Sequence, residues 1–246
     1  MKAYIHANSG RPWNEECESA FRGFQSLGIE SFLFSSTDEL RSRKREDVVV
    51  GGTLIMYHAL GEYGIFPENL SYPSELIEYY GRSIRKKKLC DLERESFPLF
   101  IKPLKDKSAP GIIVNAFPDV FKTEYSHLPA DSEIWCSEVV DFISEWRCFV
   151  RYGKILDIRL YHGNRDARCD DSIILDAVSL YRNSPASYAL DFGVTSDGRT
   201  IIVEMNDAIA LGSYGLQDTL YAELLATRWA ELTSTADSLR EIGPED

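Results

Sequence analysis

The stretch Ala189-Leu190-Asp191-Phe192-Gly193-Val194, continued beyond Asp197-Gly198 by Thr200-Ile201-Ile202-Val203-Glu204-Met205-Asn206-Asp207, decides how this chain is read. An Asp-Gly pair between two β-rich runs is a hairpin signal, because the tight turn needs a positive φ that glycine accepts. Period-two alternation places Glu204 and Asn206 on one face of the second strand. Hairpin pairing brings Asp191, on the first strand, beside Glu204. Two carboxylates and an amide oxygen facing one cleft make a hard-oxygen set suited to Mg²⁺, with positions left for water and nucleotide phosphates. The competing reading is a solvated polar strand face, which antiparallel sheets commonly present.

Upstream lie further strand-like runs: Glu133–Val140, and then Glu145–Gly163 with a turn at Arg151-Tyr152-Gly153-Lys154. Arg147 and Arg159 sit on these runs, each two residues from a carboxylate, Glu145 and Asp157. A same-face ion pair accounts for each; an arginine aimed into a cleft would instead grip phosphate oxygens with its planar fork. Earlier still, FPLFIKPL (97–104) reads as a strand carrying Lys102, followed by the polar loop KDKSAPG and a second strand, IIVNAF. A lone lysine at such a position is ordinarily a surface residue. The segment SELIEYYGRSIRKKKL (74–89) predicts a helix ending in a basic run that complements the helix dipole.

The opening third has a different grammar. KAYIHA (2–7) is a strand candidate, and residues 14–27 fit an amphipathic helix with Asn14 as N-cap and Gly28 as its stop. GIESFLFSS alternates like a strand, and VVVGGTLIMYHAL begins with a β-branched run. Strand, helix, strand in this order predicts a small α/β lobe over residues 1–70. A larger unit follows over 71–240, closing with a helix near 216–233; EIGPED (241–246) reads as a frayed tail.

Composition narrows the function classes. The 246 residues carry 27 basic against 39 acidic side chains, net −12, which argues against broad binding to a nucleic-acid backbone. The basic runs RSRKR (41–45) and RSIRKKK (82–88) are short enough for solvated faces. Cys17, Cys90, Cys136, Cys148 and Cys169 form no CxxC pair, and His6, His58, His127 and His162 are scattered, so no zinc spacing is present. No apolar run is long enough to span a membrane, and the N-terminus lacks a signal-like core. The expectation is a cytoplasmic protein with reduced thiols. Oligomeric state is not legible.

The ordered set FPLFIKP (97–103), SEVVDFISEWRCFV (137–150), KILDIRLYHG (154–163), ALDFGV (189–194) and TIIVEMND (200–207) resembles the ATP-grasp enzymes over roughly residues 75–225. Within them it most resembles the small phage and bacterial R2K clade. The resemblance implies an ATP-grasp fold of α/β (α+β) class, with a small N-terminal α/β lobe and an ATP-binding half of antiparallel sheets. It implies ATP and Mg²⁺ as cofactors. Lys102 would touch the α-phosphate and adenine edge, and Glu138 would open a linker whose backbone at Val139, Val140 and Asp141 holds adenine. Glu145 would hold the ribose, Arg147 and Arg159 would face phosphates or an acyl-phosphate, and Asp191, Glu204 and Asn206 would hold the metal. The implied activity is carboxylate–amine ligation of small-molecule or peptide substrates through an acyl-phosphate. A kinase and a non-catalytic ATP-binding module are the alternatives. Three departures stand out. The loop at 104–111 is poor in glycine, which implies either weaker lid closure or a role for Ser108 and backbone amides; no upstream lysine is singled out among Lys86, Lys87, Lys88 and neighbouring Arg82; and the N-terminal lobe carries no substrate motif.

Overall fold

A computed structural model describes residues 1–104 and 108–240. The frayed tail expected at 241–246 and the middle of the glycine-poor loop at 104–111 lie outside the described residues.

The chain opens with β1 (Ala3–Asn8), a short β2 (Arg11–Pro12), α1 (Glu15–Ser26), β3 (Ser31–Phe34), β4 (Val48–Val50) and α2 (Thr53–Gly61). β1 lies between β3 and β4, parallel to both, and β2 folds back antiparallel on its end. The helix signals act as expected: Asn14 accepts a hydrogen bond from the Cys17 N–H at 3.0 Å, and Gly28 takes φ +73.

Next come β5 (Ile84–Lys88), β6 (Leu99–Pro103), β7 (Ile112–Val114), the single-turn α3 (Phe117–Val120) and β8 (Glu133–Glu138). They form an antiparallel sheet in the order β5-β8-β6-β7. The chain ends with β9 (Phe142–Arg151), β10 (Lys154–Gly163), α4 (Asp171–Leu180), β11 (Ser187–Thr195), β12 (Thr200–Asp207) and α5 (Asp218–Thr233). Their sheet is also antiparallel, ordered β10-β9-β11-β12. Among the described residues no helix is long and apolar enough to cross a membrane.

β11 is buried at every position, as a central strand covered on both faces must be. Tyr188, Leu190 and Phe192 enter a core with α4, while Ala189 enters the core of the first lobe. Asp191 follows Ala189 by two residues and so shares that second face. The first lobe's core also takes in Leu224, Leu225 and Trp229 of α5, so the last helix packs back onto the first strands. The contact between α1 and α5 is close: a Cβ on Gly23 would stand 2.0 Å from the Asp218 carbonyl oxygen.

One expectation is corrected. Residues 74–89 are not a helix with a basic end. A 3₁₀ turn at Ser74–Tyr79 stops before Gly81, which takes φ +59, and the basic run becomes β5, paired with β8. The reason is tertiary. The unpaired edge of β8 recruits the segment, Lys86 lies over the Trp135 ring at 4.9 Å, and Lys87 pairs with Glu95. Helix α4 was not anticipated; its one sequence signal is Asp170, which caps the Ser172 N–H at 2.8 Å.

Candidate active site

The two antiparallel sheets face each other across a cleft of about 680 Å³. Phe100 and Lys102 reach it from β6, and Glu145, Arg147, Tyr161, Asp191 and Glu204 from the last sheet. Strand register builds the polar row on that sheet. Arg159 lies opposite Arg147, Arg147 opposite Asp191, and Asp191 opposite Glu204, so four neighbouring strands each contribute one charged residue.

Within the row the charges are paired. Arg147 donates from Nε and Nη2 to the two Asp191 carboxylate oxygens, both at 2.7 Å. Asn206 Nδ2 donates to Asp191 at 3.0 Å and to Glu204 at 3.4 Å. From the opposite sheet, Lys102 Nζ reaches Glu204 at 2.5 Å and Ser71 Oγ at 3.2 Å. Burial pushes the Asp191 carboxyl up to about 6, against the pull of Arg147. Burial works to lower the Arg147 guanidinium, but Asp191 outweighs it and holds the group above its usual value.

The remaining expected residues divide. Glu138, Val139 and Val140 line the cleft where β8 hands over to β9; Asp141 is not among the lining residues, and its carbonyl accepts from the Ser196 N–H at 3.2 Å. The Glu138 carboxylate accepts from the Ser83 N–H at 2.8 Å. Glu145 accepts from the Tyr161 hydroxyl at 2.6 Å, and exposed His162 lies 3.5 Å from it. Arg159 is also absent from the lining; its Nε donates to Asp157 at 2.7 Å, the same-face pair that alternation allows.

Of the four upstream cations, Arg82 alone lines this cleft. Its guanidinium donates to the carbonyls of Tyr80, Ile202 and Val203, which ties the strand carrying Glu204 to the facing sheet. Burial lowers its pKa. Sequence reasoning left this residue among four candidates, since nothing local distinguished it from its neighbours. It also missed Tyr72, Tyr161 and Tyr214, which line the cleft, although Phe100 was recoverable from its two-residue spacing to Lys102.

A second cleft of about 680 Å³ opens from the first across Lys102 and Glu204. Its walls include Thr53 and Met56 of α2, Asn206, and Ile209 and Ala210 of the loop after β12. Asp191, Glu204 and Asn206 carry oxygens of the type Mg²⁺ prefers, and the carboxylate oxygens are held here by Arg147, Lys102 and the Asn206 amide. Among the described residues no three His, Cys, Asp or Glu side chains gather closely enough to hold a metal by themselves. A site with one or two carboxylates, completed by water and phosphate oxygens, suits Mg²⁺ rather than a metal needing a protein cage.

Two facing antiparallel sheets with a charged cleft between them are the architecture of the ATP-grasp fold. The chain belongs to the ATP-grasp domain, R2K clade family 2, whose model matches residues 79–224. Solved structures share the fold at low identity. D-cycloserine synthetase DcsG aligns with TM-score 0.59 at 11% identity, over 93% of this chain and 100% of its own. L-amino acid ligase from Bacillus licheniformis aligns at 0.56 and 12%, over 94% and 75%. D-alanine–D-alanine ligase from Bacillus anthracis aligns at 0.53 and 13%, over 95% and 97%. No curated protein matches the sequence.

Proposed function

We propose that this chain is an ATP- and Mg²⁺-dependent carboxylate–amine ligase working through an acyl-phosphate. The observation that carries the reading is the row Arg147–Asp191–Glu204, completed by Asn206 and met from the opposite sheet by Lys102. In the proposed reaction a substrate carboxylate oxygen attacks the γ-phosphorus. The bond to the β–γ bridging oxygen breaks, and ADP leaves with that electron pair. An amine nitrogen then attacks the acyl carbon, the bond to the phosphate oxygen breaks, phosphate departs, and the nitrogen loses a proton as the amide forms.

The residues contribute position and charge, which is most of what phosphoryl transfer asks of a protein. Lys102 supplies the positive charge for the nucleotide phosphates. The backbone at Val139 and Val140 would offer adenine a fixed donor and acceptor edge, and Glu145 the ribose hydroxyls an acceptor. Asp191, Glu204 and Asn206 would hold Mg²⁺, which when bound neutralises charge on the β- and γ-phosphates. The second cleft, which shares Lys102 and Glu204 with the first, takes the carboxylate and amine. D-alanine–D-alanine ligase and L-amino acid ligase, by their names, join amino acids, so small amino acids and short peptides are the first substrates to try.

The test is ADP release from Mg-ATP over a panel of amino acids and peptides, with hydroxylamine as a trap. Ligation through an acyl-phosphate gives a hydroxamate. ADP release with a phosphorylated product and no hydroxamate would replace this reading with a kinase.

A further inference from the structure

Two lining side chains have contacts that the proposed chemistry leaves unused. Tyr161 belongs to the edge strand β10, and Tyr214 to the loop between β12 and α5. Their rings stack with centroids 5.1 Å apart and planes at 25°. The Arg147 guanidinium lies against both, 4.9 Å from the Tyr214 centroid and 5.5 Å from that of Tyr161. Arg147 is therefore held in two ways at once. Its Nε and Nη2 are spent on Asp191, its Nη1 lies 3.5 Å from the Gly212 carbonyl oxygen, and aromatic rings lie against it. The Nε/Nη2 edge of the fork is thereby engaged, and the Nη1/Nη2 edge faces the Gly212 carbonyl at its far end.

The loop is shaped for this contact. Tyr214 takes φ +45, a left-handed backbone that is costly for a bulky residue and persists only where surrounding contacts enforce it. A Cβ on Gly212 would stand 3.1 Å from the Tyr214 ring and 3.5 Å from Arg147 Nη1, so the backbone runs close beneath both. Ile209 and Ala210 of the same loop wall the second cleft.

We propose that Tyr214, with Tyr161, is a positioning residue: the two rings clamp Arg147 against Asp191, and through Arg147 they fix the orientation of that carboxylate. The inference rests on the reading of Asp191 as a ligand of the Mg²⁺ that accompanies ATP. The fork takes one lone pair of each Asp191 oxygen and Asn206 takes the second on Oδ2, which leaves the outer lone pair of Oδ1, and the rings oppose rotation of the fork. Tyr161 extends the same brace to Glu145 through its hydroxyl, joining the proposed ribose end of the cleft to its metal end.

The test is calorimetric titration of ATP into the intact protein at a series of Mg²⁺ concentrations, with no substrate turnover involved. Tyr214→Ala is expected to raise the Mg²⁺ concentration for half-maximal ATP binding about tenfold, the scale seen when a group orienting a metal ligand is lost. Its metal-free affinity for ATP should fall by much less. Tyr214→Phe should match the unaltered protein, because the Tyr214 hydroxyl makes no hydrogen bond among the described residues. Tyr214→Leu keeps bulk without an aromatic face and should behave like the alanine variant, which guards against a simple packing loss. A normal Mg²⁺ requirement in Tyr214→Ala and Tyr214→Leu, or a phenylalanine variant as impaired as alanine, overturns the clamp. Glu204→Gln is the control on the underlying reading. If its Mg²⁺ requirement is unchanged, the metal assignment itself falls and the clamp loses its purpose with it.

Discussion

Two Arg–Asp pairs sit one strand apart on the same sheet and differ in nearly everything except chemistry. Arg159 and Asp157 lie on the edge strand β10, with side chains 41% and 32% exposed. Arg147 and Asp191 lie on the central strands β9 and β11, with side chains 8% and 2% exposed. The edge pair is a local matter of two-residue spacing, solvated and screened. The central pair joins different strands and depends on a register 44 residues long. What separates them is desolvation. A buried charge without its partner is expensive, whereas an exposed one returns to water.

Four measurements would break or sharpen that contrast. The largest effect is expected in turnover. Glu204→Gln removes a carboxylate opposite Asp191 and should lower ATP turnover at least about a hundredfold, as loss of a group stabilising developing charge does. A variant with full turnover would remove the polar row from the chemistry. Next in size, Asp191→Ala leaves Arg147 buried and unpaired and should cost about 3–5 kcal/mol in urea denaturation. A loss below 1 kcal/mol would mean that water reaches the guanidinium.

A third pair lies between these extremes and titrates. Arg151, also on β9, meets Asp237 at 3.3 Å, and the Thr227 and Tyr152 hydroxyls donate to the same carboxylate. Burial works to raise the Asp237 pKa, but these hydrogen bonds and Arg151 outweigh it and hold it below the usual range. A carboxyl depressed in the folded state stabilises the fold above its unfolded value. That contribution disappears as the pH falls through the folded value, so the loss begins below about pH 4. Acid denaturation of Asp237→Asn should lack this component. The smallest effect belongs to the edge: Asp157→Ala should change stability by no more than about 1 kcal/mol. A cost like that of Asp191→Ala would erase the distinction drawn from burial.

Legibility in the sequence followed the same division. The hairpin at Asp197-Gly198, the capped helix at Asn14 and the alternation of Glu204 with Asn206 are local patterns, and each has its structural counterpart. The run from Ile84 to Lys88 was misread because its helical and extended forms are close in local preference, and pairing with β8 decides between them. Arg82 could not be told from Lys86, Lys87 and Lys88, since its distinguishing partners, the carbonyls of Ile202 and Val203, lie about 120 residues away. Arg147 and Arg159 looked alike for the same reason: each had a carboxylate two positions off, and only one used it.

By itself the sequence determined the opening strand–helix–strand, the antiparallel hairpins, and the adjacency of Asp191 to Glu204, because these depend on side-chain periodicity and turn chemistry within a few residues. The tertiary structure decided which charges are desolvated and what they face. Arg147 meets Asp191 because β9 and β11 are neighbours, Lys102 reaches Glu204 because two sheets oppose each other, and Tyr214 arrives from a loop beyond both. Burial and cross-strand pairing are properties of the packed chain, and no local pattern encodes them.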